Sequence, residues 1–391
     1  MSESVGGRSG RGVSAWLKRT GIILFVVVLV GLVIPRWWCG RGADAVFRGE
    51  ASAHLPLARG VSSWVQSDLG LKDFSTGHDL FDGEWLFGTY QMAGLGLCQL
   101  IRMHPDTRDE FLPAVRACLE RIESDEVRAF DRNRWNEDPL ASLNGKNGHA
   151  AYLGYYNLAL GLYQELADDP DFRERHQRIS EALIARLQTS RLLLLETYPG
   201  EVYPVDNTAV IASIAVYDRV TGSDHSSLIA AWEARCREQY VDAESGMLIQ
   251  AVGSTRGHPL DKPRSSGTAL GAYFLSIAGM ELGRDLYERM KQNCEITVFG
   301  FGGLKEYPPN VEAGRGDIDS GPVVFGLSFS GTGFVAASAR TFDDPDYFER
   351  LYRTSTLLGI PFDSGGERSY VMGGPLGNAI LLAMHTAGGA K

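Results

Sequence analysis

Carboxylates, phenols, lysines and a histidine gather in six short stretches of this sequence. They are HDLFDGEW (78–85), NGKNGH (144–149), EVYPVDN (201–207), LDKPRSS (260–266), GRGDIDSG (314–321) and ERSYVMGG (367–374). The segments behind them are nearly free of charge. Candidate acid–base groups are Asp206, Tyr155, Asp317, Asp319 and Tyr203. Candidate substrate contacts are Glu84, Trp85, Tyr90, Trp135, Lys146, His149, Asn207 and Lys262. A carboxyl above an apolar cavity is pushed toward its neutral form, while one at a wet rim stays ionised. Such a split supplies an acid and a base from one residue type. A plainer reading stands beside this one. Asp206 with Asn207, Ser265 with Ser266, and Asp317 or Asp319 can cap following helices, each cap contributing about 1 kcal/mol. A cap needs neither Tyr203 nor Lys262 beside it, and Pro204 fixes the backbone that presents Tyr203. The longest irregular stretch, RNRWNEDPLASLNG (132–145), offers Trp135, Glu137 and Asp138 as a cavity wall or as turn caps.

Other chemistries find no support. HExxH, EF-hand and paired cysteine–histidine spacings are absent, so no metal is expected. GxSxG and glycine-rich phosphate loops are absent too, and no nucleotide or other cofactor is expected. A net charge of −10 with no basic stripe argues against a nucleic-acid partner. The five cysteines, Cys39, Cys98, Cys118, Cys236 and Cys294, are scattered and read as buried thiols. Outside the cytoplasm a pair of them can also bridge, with partners the spacing does not choose.

The elements that position these groups follow a repeat. Six glycine- and alanine-rich segments are apolar on most faces: 88–101, 151–166, 207–220, 267–282, 322–339 and 374–388. Between them lie five amphipathic, charged segments: 110–123, 172–188, 226–240, 283–296 and 345–358. A helix apolar all round is buried and one with a charged face lies outside. The apolar helices recur at intervals of roughly 50 to 65 residues, the period of a helical hairpin with its loops. A sixth outer helix is expected around 61–71, completing an all-α (α/α)6 barrel, with an open solenoid as the rival arrangement. Small side chains let ringed inner helices approach closely. Their N-termini then gather at one end with the six polar stretches, the default position for a site. No segment reads as an alternating strand.

The N-terminus carries a compartment signal. Arg8, Arg11, Lys18 and Arg19 precede the apolar run 21–34, and Trp37 and Trp38 follow it. The run is short of the about 20 residues a span needs, and interfacial tryptophans help to complete it. Ala43-Asp44-Ala45 is a competing signal-peptidase site, but it lies well beyond the run. The expected organisation is a basic segment 1–20, a membrane anchor 21–38, a linker 39–60 and a barrel 61–391. The barrel is expected on the extracytoplasmic (periplasmic) side of the membrane.

Three stretches resemble the linalool dehydratase/isomerase family. They are WNEDPLASLNGKNGHAAYLGYYNLALGLYQELADD (135–169), DNTAVIASIAVYDRVTGSDHSSLIAAW (206–232) and DIDSGPVVFGLSFSGTGF (317–334). The similarity runs in order over about 75–390. The resemblance implies an (α/α)6 barrel and an exported enzyme that removes water from a tertiary terpene alcohol and shifts its hydroxyl. It implies no metal or cofactor, and a cyclic homo-oligomer with sites near subunit boundaries. The family's enzyme uses two cysteines before the third inner helix and a histidine on the second. In this sequence those positions match Asp206, the neighbourhood of Thr197, and Tyr155. The expected chemistry is therefore rebuilt with oxygen acids, and linalool itself is not carried over as substrate.

Two mechanisms from different classes fit these residues. A hydro-lyase or isomerase acting on an apolar, terpenoid-like alcohol would protonate the leaving hydroxyl from Asp206 or Tyr155. Asp317 or Asp319 would take a proton from the neighbouring carbon or steady a cation. A glycoside hydrolase or lyase of envelope glycans would set Asp206 against Asp317, Asp319 or Glu84. The rim aromatics Trp85, Tyr90, Trp135, Tyr198, Tyr203 and Tyr307 suit either substrate. A barrel that binds a ligand without chemistry is the third reading.

Overall fold

The computed structural model describes residues 10–312, 314, 323 and 325–389. Asp317 and Asp319 lie outside the described residues. The first helix, α1 (Gly10–Cys39), leaves its apolar side chains exposed, Phe25 and Ile23 among them. The stretch Trp16–Arg48 is long and apolar enough to cross a membrane. A left-handed turn at Gly42 leads to α2 (Ala43–Arg48), whose Ala43, Val46 and Phe47 are buried. The stretch expected as a linker is thus mostly helical and packed, because its apolar residues find the barrel's flank.

Six helical hairpins follow. Outer α3 (Ala51–Gln66) precedes inner α4 (Asp79–Met103). Outer α5 (Arg108–Ile122) is followed by the short α6 (Ala129–Trp135) and then inner α7 (Tyr155–Gln164). Outer α8 (Pro170–Thr189) leads to inner α9 (Pro204–Thr221). Outer α10 (Ser226–Arg235) leads to inner α11 (Ser265–Ile277), and outer α12 (Glu281–Cys294) to inner α13 (Phe329–Thr341). Outer α14 (Pro345–Gly359) and inner α15 (Gly374–Thr386) complete the set. The inner helices touch in the order α4, α7, α9, α11, α13, α15 and back to α4, so the ring is closed rather than an open solenoid. The sixth outer helix is α3, which begins ten residues before the expected start.

Tight packing explains the glycines of the inner helices. A Cβ on Gly96 would lie 2.8 Å from the backbone nitrogen of Ala383, where α4 meets α15. On Gly154 it would lie 2.6 Å from Val210 Cγ2 of α9. These helices sacrifice propensity for proximity.

Short turns join each inner helix to the next outer one, and longer segments return at the other end, the mouth. There a side chain in the opening turns of the inner helix ties the incoming backbone down. Asn207 accepts from the Leu195 amide at 2.7 Å and donates to Leu195 O and Tyr203 O. Asn378 repeats this with Tyr370, accepting at 2.7 Å and donating at 3.0 Å. Thr268 accepts from Leu248 N and Thr332 from Leu304 N, each at 3.0 Å. Buried backbone donors need such partners.

The mouth segments also pair as short antiparallel strands, which the sequence pattern does not reveal. β1 (Glu201–Val202) pairs with β2 (Val252–Gly253). β3 (Glu295–Val298), β4 (Phe301–Lys305) and β5 (Leu327–Ser328) form a three-stranded sheet in that order. β6 (Pro361–Ser364) and β7 (Glu367–Tyr370) form a hairpin whose turn glycines both have positive φ. Runs of two to five residues are too short for a period of two to be legible.

Ring closure yields a stability prediction. Gly96→Val should force α4 and α15 apart and cost about 1–3 kcal/mol, the usual range for overpacking. Urea unfolding checks this, and unchanged stability would mean the interface has slack there.

Candidate active site

The first turns of all six inner helices line one cavity of about 760 Å³. Phe81, Phe87, Met92, Phe130, Leu270, Phe334, Leu376 and Ile380 make its walls largely apolar. Its polar groups concentrate on one side, around the beginning of α9.

Asp206 is the centre of that group. Helix α9 starts at Pro204, three residues earlier than the sequence pattern suggests, so Asp206 is in the first turn and is not the N-cap. Pro suits that first position because no intrahelical partner awaits its missing N–H. The carboxyl is 9% exposed and accepts two hydroxyl donors. Tyr155 donates to Oδ1 at 2.7 Å and Thr197 to Oδ2 at 2.6 Å. Burial pushes its pKa above the usual carboxylate range, and the two donors only partly offset this. Tyr155 arrives from α7 just after a π-helical turn, Ala150–Gly154, a feature frequent at functional sites. Thr197 sits in the tight turn that precedes β1.

Glu84 supplies a second carboxyl. Helix α4 opens at Asp79 with His78 as its cap, which brings Glu84 and Trp85 onto the helix rather than a loop. Tyr198 donates to Glu84 Oε1. Burial raises the Glu84 pKa to about 7, and the neighbouring charges of Asp206 and Glu201 add to the rise. The Tyr198 bond and the Arg134 charge act the other way. A third carboxylate, Glu201, is ion-paired with Arg134 and accepts from the Tyr203 hydroxyl at 3.0 Å. The Arg134 guanidinium also lies over the Tyr198 ring, 4.8 Å from its centroid.

Deeper in the cavity, Gln91 is fully buried, and its side-chain amide has no hydrogen-bond partner among the described residues. It follows Glu84 by seven residues, which is about 10 Å along the helix axis.

Of the residues singled out from sequence, Asp206, Tyr155, Tyr203, Glu84, Trp85, Tyr198 and Ser266 line the cavity. Tyr90, Trp135, Lys146, His149, Asn207 and Lys262 do not. Tyr90 is buried against the barrel's flank, its hydroxyl donating to Leu69 O at 2.9 Å. Asn207 is fully buried and its amide is committed to the loop backbone. Lys262 donates to Glu312 O at 2.9 Å, and Lys146 is exposed on a surface turn. Tyr307 is buried under Arg264. Ser265 and Ser266 donate to the buried Glu306 and do not cap α11.

His149 and Trp135 form a buttress behind the site. His149 Nδ1 lies 2.6 Å from Asp131 Oδ2, with both side chains fully buried. The Trp135 ring packs on it at 4.6 Å and donates to Thr197 O at 3.2 Å. Arg186 binds the carbonyls of Ser142, Leu143, Gly145 and Gly148, so the long irregular stretch is clamped. Its role is to hold Thr197 and to carry Arg134 to Glu201. Sequence reasoning missed Arg134, Glu201 and Gln91 as cavity residues. Alternation of polar with aromatic types around Tyr198 was the one available hint.

Among the described residues no group of three or more His, Cys, Asp or Glu is arranged to hold a metal ion. All five cysteines are buried and unpaired.

The Glu84 shift sets a pH dependence. The folded pKa, about 7, exceeds the ordinary value of 4.5. The unfolded chain therefore releases this proton first, and folding stability falls as pH rises from about 4.5 to about 7. Glu84→Gln should remove this loss, gaining on the wild type over that window by roughly 2–3 kcal/mol at most. Parallel pH profiles of chemical denaturation would count against the assignment.

Solved structures of similar fold come from carbohydrate enzymes. The α-1,6-mannanase of Salegentibacter sp. HEL1_6 matches with a TM-score of 0.52 and 13% identity, covering 84% of this chain and 98% of that one. The unsaturated glucuronyl hydrolase of Bacillus sp. GL1 matches with a TM-score of 0.51 and 14% identity, covering 86% and 96%. An unsaturated glucuronyl hydrolase specific for heparin gives 0.53 and 8%, covering 87% and 96%. At these identities the likeness is one of fold, the helical toroid. The family model matches elsewhere in meaning: that of linalool dehydratase/isomerase covers residues 146–353, from the clamped loop into α14. With more than half its length matched, the chain belongs to the linalool dehydratase/isomerase family.

Proposed function

We propose that this protein is a membrane-anchored hydro-lyase or isomerase that acts on a hydrophobic, terpenoid-like alcohol by acid–base chemistry, without a cofactor. The anchor is α1, with the barrel on the extracytoplasmic side. The observation that carries the reading is a pair of carboxyls with raised pKa values at one side of an apolar cavity, each held by a phenol. Family membership supports the reaction class.

In this mechanism neutral Glu84 donates its proton to the substrate hydroxyl. The C–O bond breaks and water leaves. The Asp206 carboxylate, held by Thr197 and Tyr155, takes a proton from the adjacent carbon, and the C–H electron pair becomes the new double bond. Re-addition of water to the far carbon of an allylic cation, with the surplus proton of the oxonium returned to Glu84, gives the isomer instead. Proton exchange with solvent resets the two carboxyls. General acid–base catalysis of this kind contributes about 10²–10⁴-fold. The apolar walls exclude water that would otherwise intercept a cation.

Asp206→Asn should abolish turnover while leaving the helical circular dichroism intact. Turnover near wild type in that variant would remove the central role of Asp206. A screen of the full chain against terpenols and oligosaccharides together separates this reading from a glycan hydrolase. The glycan alternative rests on fold analogy alone. Cleavage of an oligosaccharide with no terpenol turnover would reverse the order of the two.

The unpartnered Gln91 amide favours a substrate with a second polar group about 10 Å from the reacting hydroxyl. Gln91→Leu should raise KM for such a bifunctional alcohol and lower it for a mono-alcohol of equal length. Equal effects on both substrates would indicate a purely structural amide.

A further inference from the structure

The mouth end of the barrel is unusually apolar on its outside. Phe299 at the β3–β4 turn and Met372 beside the cavity are 68% and 69% exposed. Leu358 at the end of α14, Ile360, Phe362 on β6 and Val371 are also exposed. All belong to outer-helix ends or to the mouth segments, and a concentration of large exposed apolar side chains at one end marks an interaction face.

The course of α1 says what covers it. The C-terminal end of α1 packs against α14. Arg36 reaches Gly300, whose carbonyl accepts from Arg353 at 3.2 Å. Gly40 reaches Arg353 and, one turn earlier on α14, Glu349. The chain then descends through α2, where Val46 O accepts from Arg340 at the far end of the barrel. The apolar run of α1 therefore extends on the mouth side of Arg36. At its base the Arg41 guanidinium stacks on Trp37 and Trp38, 3.8 and 4.3 Å from their centroids. Tryptophan and arginine together at a span's end are the mark of headgroup depth. Two carboxylates on these elements are neutralised locally, Asp363 by Arg368 and Glu349 by Arg353.

We infer that the mouth of the barrel lies against the lipid surface in which α1 is embedded, with Phe299, Phe362 and Met372 in the interface. The cavity then fills from the membrane side, where an apolar alcohol concentrates, and not from bulk water. This inference rests on reading α1 as a membrane span, and the test separates the two.

The five native cysteines are buried, so a single added cysteine can be labelled selectively in the folded full chain. Nitroxide labels at Phe299→Cys, Phe362→Cys and Met372→Cys would be compared in anionic phospholipid vesicles. Val28→Cys reports the apolar run, and Asp346→Cys the far end of the barrel. The measurement is collision with oxygen against collision with a water-soluble nickel chelate. The three mouth sites should favour oxygen over nickel relative to Asp346, with Val28 deepest. If Val28 reads as lipid while the mouth sites read like Asp346, the surface is not lipid-facing, though the anchor stands. If Val28 also reads as water, the anchor reading fails and the inference with it. Mouth sites shielded equally from both probes in vesicles and in detergent micelles would identify a second copy of the chain as the occupant, and would overturn the proposal.

Discussion

Every buried inner helix must receive a chain whose backbone groups cannot reach water, and the side chains at its mouth satisfy that demand. Asn207 and Asn378 hold their incoming segments through both amide groups, while Thr268 and Thr332 hold theirs through one hydroxyl. An unpaired buried donor costs about 1–3 kcal/mol, so these positions are fixed first. Once they are fixed, the neighbouring position is presented to the cavity in a set direction. Asp206 stands beside Asn207 for that reason: one residue anchors and the next is displayed. The repeat that builds the fold thereby builds the site.

The cavity's electrostatics follow from where the remaining charges are allowed to go. Arg134 stays with Glu201 at the rim, and no cation is recorded in contact with Asp206 among the described residues. Neutral hydroxyls stabilise the inner carboxyls instead, and they offset burial incompletely. A salt bridge in the same position would lower the proton affinity of either carboxyl.

Much of the fold was legible, because an all-apolar helix is recognisable by composition and its recurrence by spacing. Helix starts were less so. The pattern of α4 and α9 was blurred by charged opening turns, the second of α4 holding Glu84 and the first of α9 holding Asp206. The short strands at the mouth left no periodic trace, and β5 delays the start of α13. Among candidate residues, type alone could not separate groups facing the cavity from groups facing backwards. His149 read as a substrate contact, yet it is sealed between Asp131 and Trp135. Glu201 and Arg134 are 67 positions apart in sequence, and only the turn at Tyr198 brings them together.

Closure of the ring joins α4 to α15, the second hairpin helix made to the last. Chain growth is directional, so α4 waits for its partner through almost the whole of synthesis. Until then the face of α4 that meets α15 has no neighbour, and the four intervening hairpins stack as an open arc. Contacts of such long sequence separation form late and slowly. The final turn of the chain thus acts as a fastener: removing α15 would not trim an edge but would leave a broad apolar seam along the length of the molecule. A protein with this topology is most vulnerable to aggregation in the interval before α15 docks on α4.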